Sequence, residues 1–229
     1  MKASAAIAAL APIAVLLATP LLLREPRTAI DRRAFRQTLQ GLLAALKSRR
    51  LYLVAAFLFL YSFAPGFGTP LYYHMTDRLH FSQSYIGLLG SIAAAGWIVG
   101  AILHRLLLRR VPIQSLLYLS VVLGTASAAS FLLLTDETSA ALVNFGFGVA
   151  SMIATIATLT LAAQHCPEGA EGFAFAGLMS VSNLADIVSI NTGAWLYDNV
   201  FANQLAPLIV VSAATTAIAA LLVPLLRTP

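Results

Sequence analysis

Between Gly172 and Tyr197 the chain reads GFAFAGLMSVSNLADIVSINTGAWLY, a spanning-length apolar stretch. Its middle holds Ser180, Ser182, Asn183, Asp186, Ser189, Asn191 and Thr192. A carboxylate at membrane depth is costly unless it is paired, hydrated or protonated, so Asp186 marks a pathway or an assembly contact. Desolvation favours its neutral form and water or a cation favours its charged form, so Asp186 can exchange a proton as its surroundings change. Asn183 stands three residues before Asp186 and shares a helical face with it, with Ser182 and Ser189 on the flanks. Asn144 and the pair Tyr72 and Tyr73 are the other side chains able to contribute a polar contact or an aromatic face inside apolar segments. The alternative for Asp186 is a carboxylate that pairs with another helix or stays protonated for packing.

The elements that must position these groups are membrane spans. The 229 residues are 59% hydrophobic and 10% charged, against about 25% charged in a soluble domain. The net charge of +5 does not point to nucleic acid, because the basic residues sit in short loops between apolar runs and report membrane orientation. The lone Cys166 excludes an internal disulfide and a thiolate zinc cluster, and His74, His80, His104 and His165 lack metal-site spacing. No HExxH motif, nucleophile elbow or nucleotide-binding loop is present, so an enzyme or an ATP-driven pump is disfavoured and no cofactor or metal is expected.

Seven spans are expected. The first covers about residues 4–23; its basic flank at Arg24, Arg27, Arg32 and Arg33 favours a retained helix over a cleaved signal. Phe35, Leu39, Leu42, Leu43 and Leu46 then share one face, with Arg32, Arg33, Arg36, Gln40 and Lys47 on the other, which predicts an amphipathic helix on the lipid headgroups. Span two, about 51–73, carries Pro65, Gly66, Gly68 and Pro70 in its second half, a helix break or a packing kink. Spans three to seven cover about 85–107, 112–134, 140–163, 173–197 and 207–226. Gly96 and Gly100 in span three suit close helix contact. His74, Asp77, Arg78 and His80 read as a solvated outer turn, and Trp195 and Tyr197 as interfacial anchors. In span five, Ser and Thr are expected to bond back to their own helix, leaving Asn144 as the lining candidate. Alternating the spans puts 12 of the 14 basic residues on one side, with Lys2 and Arg78 opposite. The positive-inside rule then sets the N-terminus out and the C-terminus in.

The run Gly100-x-x-x-His104-Arg105-x-x-x-Arg109-Arg110 resembles the loop motif of the major facilitator superfamily, with His104 where an acidic residue is usual. FLFLYSFAPGFGTPLYYHMTDRLHFSQSYIG and CPEGAEGFAFAGLMSVSNLADIVS resemble the folate–biopterin transporter branch of that superfamily. The resemblance covers almost the whole chain but only the second half of the family's twelve helices. It implies that residues 1–23 match the sixth helix, 24–50 the cytoplasmic central loop, and 51–229 a six-helix bundle. The chain then answers to a fragment, a truncated frame or a half-size protein, and its own sequence leaves these open.

The resemblance further implies a secondary transporter of the cell membrane, working by alternating access as a symporter on a pterin-like or other small organic solute bound near the midplane. Asn183 and Ser182 would hydrogen-bond a heteroaromatic ring, Tyr72 and Tyr73 would stack on it, and Asn144 would add a polar contact. The expected partners are the bilayer, the solute, and either a six-helix N-terminal half or a second copy. The competing expectation is a membrane scaffold or a half unable to transport.

Overall fold

A computed structural model describes residues 48–168 and 170–226, together with positions 12, 15, 16, 18 and 19. The chain falls into two units, residues 1–37 and 38–229. In the first, the five described positions are helical, and the Thr19 hydroxyl donates to the Val15 carbonyl at 2.7 Å. The rest of the expected first span and the amphipathic segment up to Lys47 lie outside the described residues.

Among the described residues of the second unit all regular structure is helical. Helix α1 is Arg49–Ser62 and α2 is Gly68–Tyr73, continued by a π-helical turn His74–Arg78. Helix α3 is Gln83–Leu103 with a second π-helical turn His104–Leu108, and α4 is Ile113–Ser130 with a 3₁₀ turn Phe131–Leu133. Helices α5 (Glu137–Gln164), α6 (Glu171–Asn199) and α7 (Leu205–Ile218, with a 3₁₀ tail Ala219–Leu225) complete the order. Five segments among the described residues, starting at Gln83, Ile113, Glu137, Glu171 and Leu205, are long and apolar enough to cross a membrane. The expected second span is instead two shorter helices. Pro65 lacks an N–H and its ring obstructs the preceding turn, so α1 stops at Ser62 and α2 restarts at Gly68.

Local chemistry sets the helix starts. The Ser48 and Ser82 hydroxyls accept the Leu51 and Tyr85 N–H groups at 3.4 and 3.1 Å. Asp136 and Ser139 form a reciprocal capping box at the head of α5, and the Tyr85 hydroxyl donates to the Glu137 carbonyl beside it. These capping bonds, led by the Ser139 N–H, hold the Asp136 carboxyl below the ordinary carboxylate range. A depressed folded-state pKa contributes stability above the ordinary value that is lost as pH falls through the depressed one. An Asp136→Ala variant should therefore melt slightly below the parent at neutral pH, and the gap should close under acid conditions, as followed by thermal unfolding in detergent.

The helices pack backbone against backbone where small residues meet. A Cβ at Gly148 of α5 would lie 2.1 Å from the Ala93 carbonyl oxygen of α3, and one at Gly96 would lie 2.3 Å from the Phe145 carbonyl. Gly100 meets Val149 in the same seam, so the first residue of the loop motif is a packing position.

Two apolar clusters hold the bundle. One gathers Val54, Phe57, Leu58, Leu117, Val121, Leu161 and Val223; the other gathers Leu71, Met75, Leu89, Phe131, Ala140, Val143 and Ile209. Between their members, α4 carries Gly124 and Ser127 and α7 carries Ser212 and Thr216. A polar belt thus sits at mid-height. Large apolar side chains such as Trp97, Ile98, Leu142, Ile187 and Leu221 are exposed on the outside, as a lipid-facing surface requires.

Candidate functional site

The belt opens into a cleft of about 440 Å³ bordered by α1, α4, α5, α6 and α7. Eight Ser and Thr residues line it: Ser62, Ser127, Ser151, Thr155, Thr158, Ser182, Ser212 and Thr216. Among the described lining residues Asp186 is the one with an acidic or basic side chain. Several of the hydroxyls are committed to their own helices. Ser127 donates to Gly124, Thr155 to Ser151, Thr158 to Ala154 and Thr216 to Ser212, at 2.8–3.1 Å. Ser62 and Ser182 behave differently. Their hydroxyl oxygens lie 2.8 Å apart across the α1–α6 contact, and the Asp186 carboxylate lies beside Ser62 in the same cleft lining.

The break in the second span is held against α6. The Gly66 N–H donates to the Ser189 carbonyl at 3.0 Å, and the Ser189 hydroxyl donates to the Ala64 carbonyl. One turn further on, a Cβ at Gly193 would lie 1.9 Å from the Gly66 carbonyl oxygen, so the two backbones touch. The Gly66 N–H and the Ala64 carbonyl are in this way satisfied by protein, as irregular backbone at membrane depth requires. A Ser189→Ala substitution leaves the Ala64 carbonyl without this donor, at a cost of about 1–3 kcal/mol. Thermal unfolding should show that loss, and Ser189→Thr should recover most of it.

The polar face of α6 that meets α1 and the break is Ser182, Asp186, Ser189 and Gly193, spaced i, i+4, i+7 and i+11. Asn183 does not line this cleft and is exposed. Of the other polar residues of the stretch, Ser180 donates to the Ala176 carbonyl and Asn191 to the Ile187 carbonyl. Asn144 donates to the Ala140 carbonyl at 2.8 Å and lies outside the cleft lining, whereas Ser151, Thr155 and Thr158 of the same helix are inside it. Tyr72 donates to the Gln83 side chain at 2.9 Å, with its ring edge-on to Tyr73 at 5.7 Å. Tyr73 lines a different recess with His74, Asp77, Arg78 and Tyr197. The structure therefore brings Ser182 and Asp186 together and places Asn183, Asn144, Tyr72 and Tyr73 elsewhere. Ser62 was not marked by the sequence; its position just before Pro65-Gly66, at the end of an interrupted span, is the signal that identifies it. Among the described residues no cluster of His, Cys, Asp and Glu could hold a metal ion by such ligands.

A family model described as the BT1 family matches residues 28–228. The chain belongs to the BT1 family. A relative named folate-biopterin transporter, from Synechocystis, is 27% identical over 66% of this BT1 chain and 33% of its own length. A Plasmodium falciparum relative named folate transporter 2 is 23% identical over 77% of the chain and 41% of its own length. A Plasmodium berghei relative, a putative folate transporter 2 by name, is 22% identical over 61% of the chain and 33% of its own length. The matches thus span between a third and two-fifths of these curated relatives. No solved structure matches. Family membership together with the five long apolar helices makes this BT1 chain a multi-pass membrane protein.

Proposed function

We propose that this chain is one bundle of a secondary transporter that moves a folate- or pterin-like organic solute by alternating access, and that it performs no chemical conversion. The observation that carries the reading is the mid-height cleft with one carboxylate, Asp186, next to a helix break. Substrate and coupling-ion sites of transporters lie near the bilayer midplane beside discontinuous helices. The volume of about 440 Å³ falls within the range of small-molecule sites, and its hydroxyls suit a heteroaromatic solute rich in hydrogen-bonding edges.

In this reading, α1 with α2 and the five longer helices form a six-span bundle of the major facilitator type. The expected first span makes seven, with the N-terminus outside and the basic loops in the cytoplasm of a cell membrane. The cleft has a second wall, supplied by a six-helix half or by another copy, and transport is coupled to an ion in symport. The matched span of a third to two-fifths of the relatives supports the need for that wall.

The test is uptake of labelled folate or pterin by cells expressing this chain, alone and with a six-helix N-terminal half of a relative. Uptake that appears with the second half supports the reading. Correct membrane insertion without uptake in either arm would favour the scaffold alternative.

A further inference from the structure

We infer that Ser62, Ser182 and Asp186, at the broken end of α1, form a binding site for a small monovalent cation of the sodium class. The inference takes its place in transport from the reading above, but its binding claim is independent of it.

Three features converge. The first is the end of α1. The carbonyl of Tyr61 would ordinarily accept from residue 65, which is Pro65 and has no N–H. The carbonyl of Ser62 would accept from Gly66, whose N–H donates to Ser189 of α6 instead. Both carbonyls are thus left without their helical donors at the negative end of a helix dipole. The second is the hydroxyl pair. Ser62 and Ser182 point at one another across two helices with 2.8 Å between their oxygens, whereas four of the other six Ser and Thr of the belt donate to their own helices. The third is charge. Asp186 adjoins Ser62, and among the described residues no Lys, Arg or His lines the cleft to neutralise it.

These groups are oxygen ligands of the kind that half-helix ends and unwound carbonyls present to coupling ions in transporters. The charge count selects the ion's valence. One carboxylate plus one monovalent cation is neutral, which limits the penalty of charge at membrane depth. A divalent ion would leave one positive charge uncompensated, and Ca²⁺ sites assemble six to eight oxygens with several carboxylates. Hydroxyl oxygens only 2.8 Å apart suit a small cation better than a large one.

The experiment is thermal unfolding of the purified chain in detergent or nanodiscs while NaCl replaces N-methylglucamine chloride at constant ionic strength, repeated with KCl and at a second pH. The expected result is a saturable rise of the melting temperature with sodium, weaker with potassium, and none in Asp186→Asn. Ser62→Ala and Ser182→Ala should each shift the half-saturating sodium concentration upward by about fivefold, the equivalent of one neutral hydrogen-bonding ligand. Should Asp186→Asn fail to fold in N-methylglucamine, the double variant Ser62→Ala/Ser182→Ala takes its place and must show a blunted response. Equal melting in sodium and N-methylglucamine overturns the site, as does a parental sodium response in Asp186→Asn. A response to pH with none to sodium overturns it too and assigns the position to a proton. Sodium binding without solute uptake supports the site and removes the transport reading. Solute uptake that persists with no sodium response removes the site and leaves the transport reading standing.

Discussion

An Asp186→Asn variant is expected to lose about 10- to 100-fold of the proposed solute uptake while the amount of folded protein in the membrane stays at the parental level. The size follows from losing hydrogen bonds to a charged group, worth about 1.5–3 kcal/mol, with each 1.4 kcal/mol worth about tenfold. Asn keeps the shape and leaves Ser62 a polar neighbour, so the change removes charge more than packing. Asp186 lies near the middle of α6, at the border of the cleft and exposed at its mouth. Under the proposed function that placement suits a group that meets a mobile ion or solute. The competing role, a carboxylate retained for packing or assembly, predicts the opposite result: loss of folded protein before any specific loss of uptake. Quantitative blotting of the membrane fraction beside the uptake assay separates the two.

The largest effect on stability belongs to Gly193→Ala. Its new methyl group would lie 1.9 Å from the Gly66 carbonyl oxygen and 2.7 Å from the Gly66 carbonyl carbon and nitrogen, all backbone atoms. No rotamer change relieves a contact with backbone, so the cost sits at or above the upper end of the usual overpacking range, about 3 kcal/mol. Gly177→Ala in the same helix provides the control. A Cβ there meets nothing within 4 Å, and Ala is the better helix former by about 1 kcal/mol. The first variant should melt well below the parent and the second at or above it. Equal melting of the two would mean that the break does not lie on α6 in the membrane.

Much of the bundle was legible because its signals are local. The apolar spans from Tyr85 onward match α3 to α7 within a few residues, since burial in lipid demands a continuous apolar run and the basic or Pro-containing loops end it. An interruption at Pro65-Gly66 was also marked, because proline acts through its own missing N–H. A break and a packing kink both stayed open there until the helices were seen to end at Ser62 and restart at Gly68. The lining of the cleft was less so. A helix advances about 100° per residue, which places Ser182, Asp186 and Ser189 within an arc of about 60° but sets Asn183 about 100° from Ser182. Which of the two faces meets α1 is a tertiary fact, settled by the Ser62 contact and the Gly66–Gly193 crossing. Asn144 misled for a related reason. An amide in an apolar helix looks like a lining group, yet Asn144 lies seven residues before Ser151, about 10 Å along the axis, and its amide is used by the Ala140 carbonyl. Ser62 carries no local mark beyond its nearness to the break, and its chemistry exists only because Ser182 arrives opposite it.

The two apolar clusters that bracket the polar belt also govern leakage. Phe57, Leu117, Leu161 and Val223 close the bundle toward one end, and Leu71, Leu89, Phe131 and Ile209 toward the other. Apolar layers of this kind disfavour a continuous chain of water, so a cation at the proposed Asp186 site would find no favourable wet route along the bundle axis. Exchange at the proposed site would then take place sideways, through the open mouth of the cleft. In the proposed transporter the bundle would act as an insulator, and whatever closes over that mouth would decide which side of the membrane the carboxylate samples.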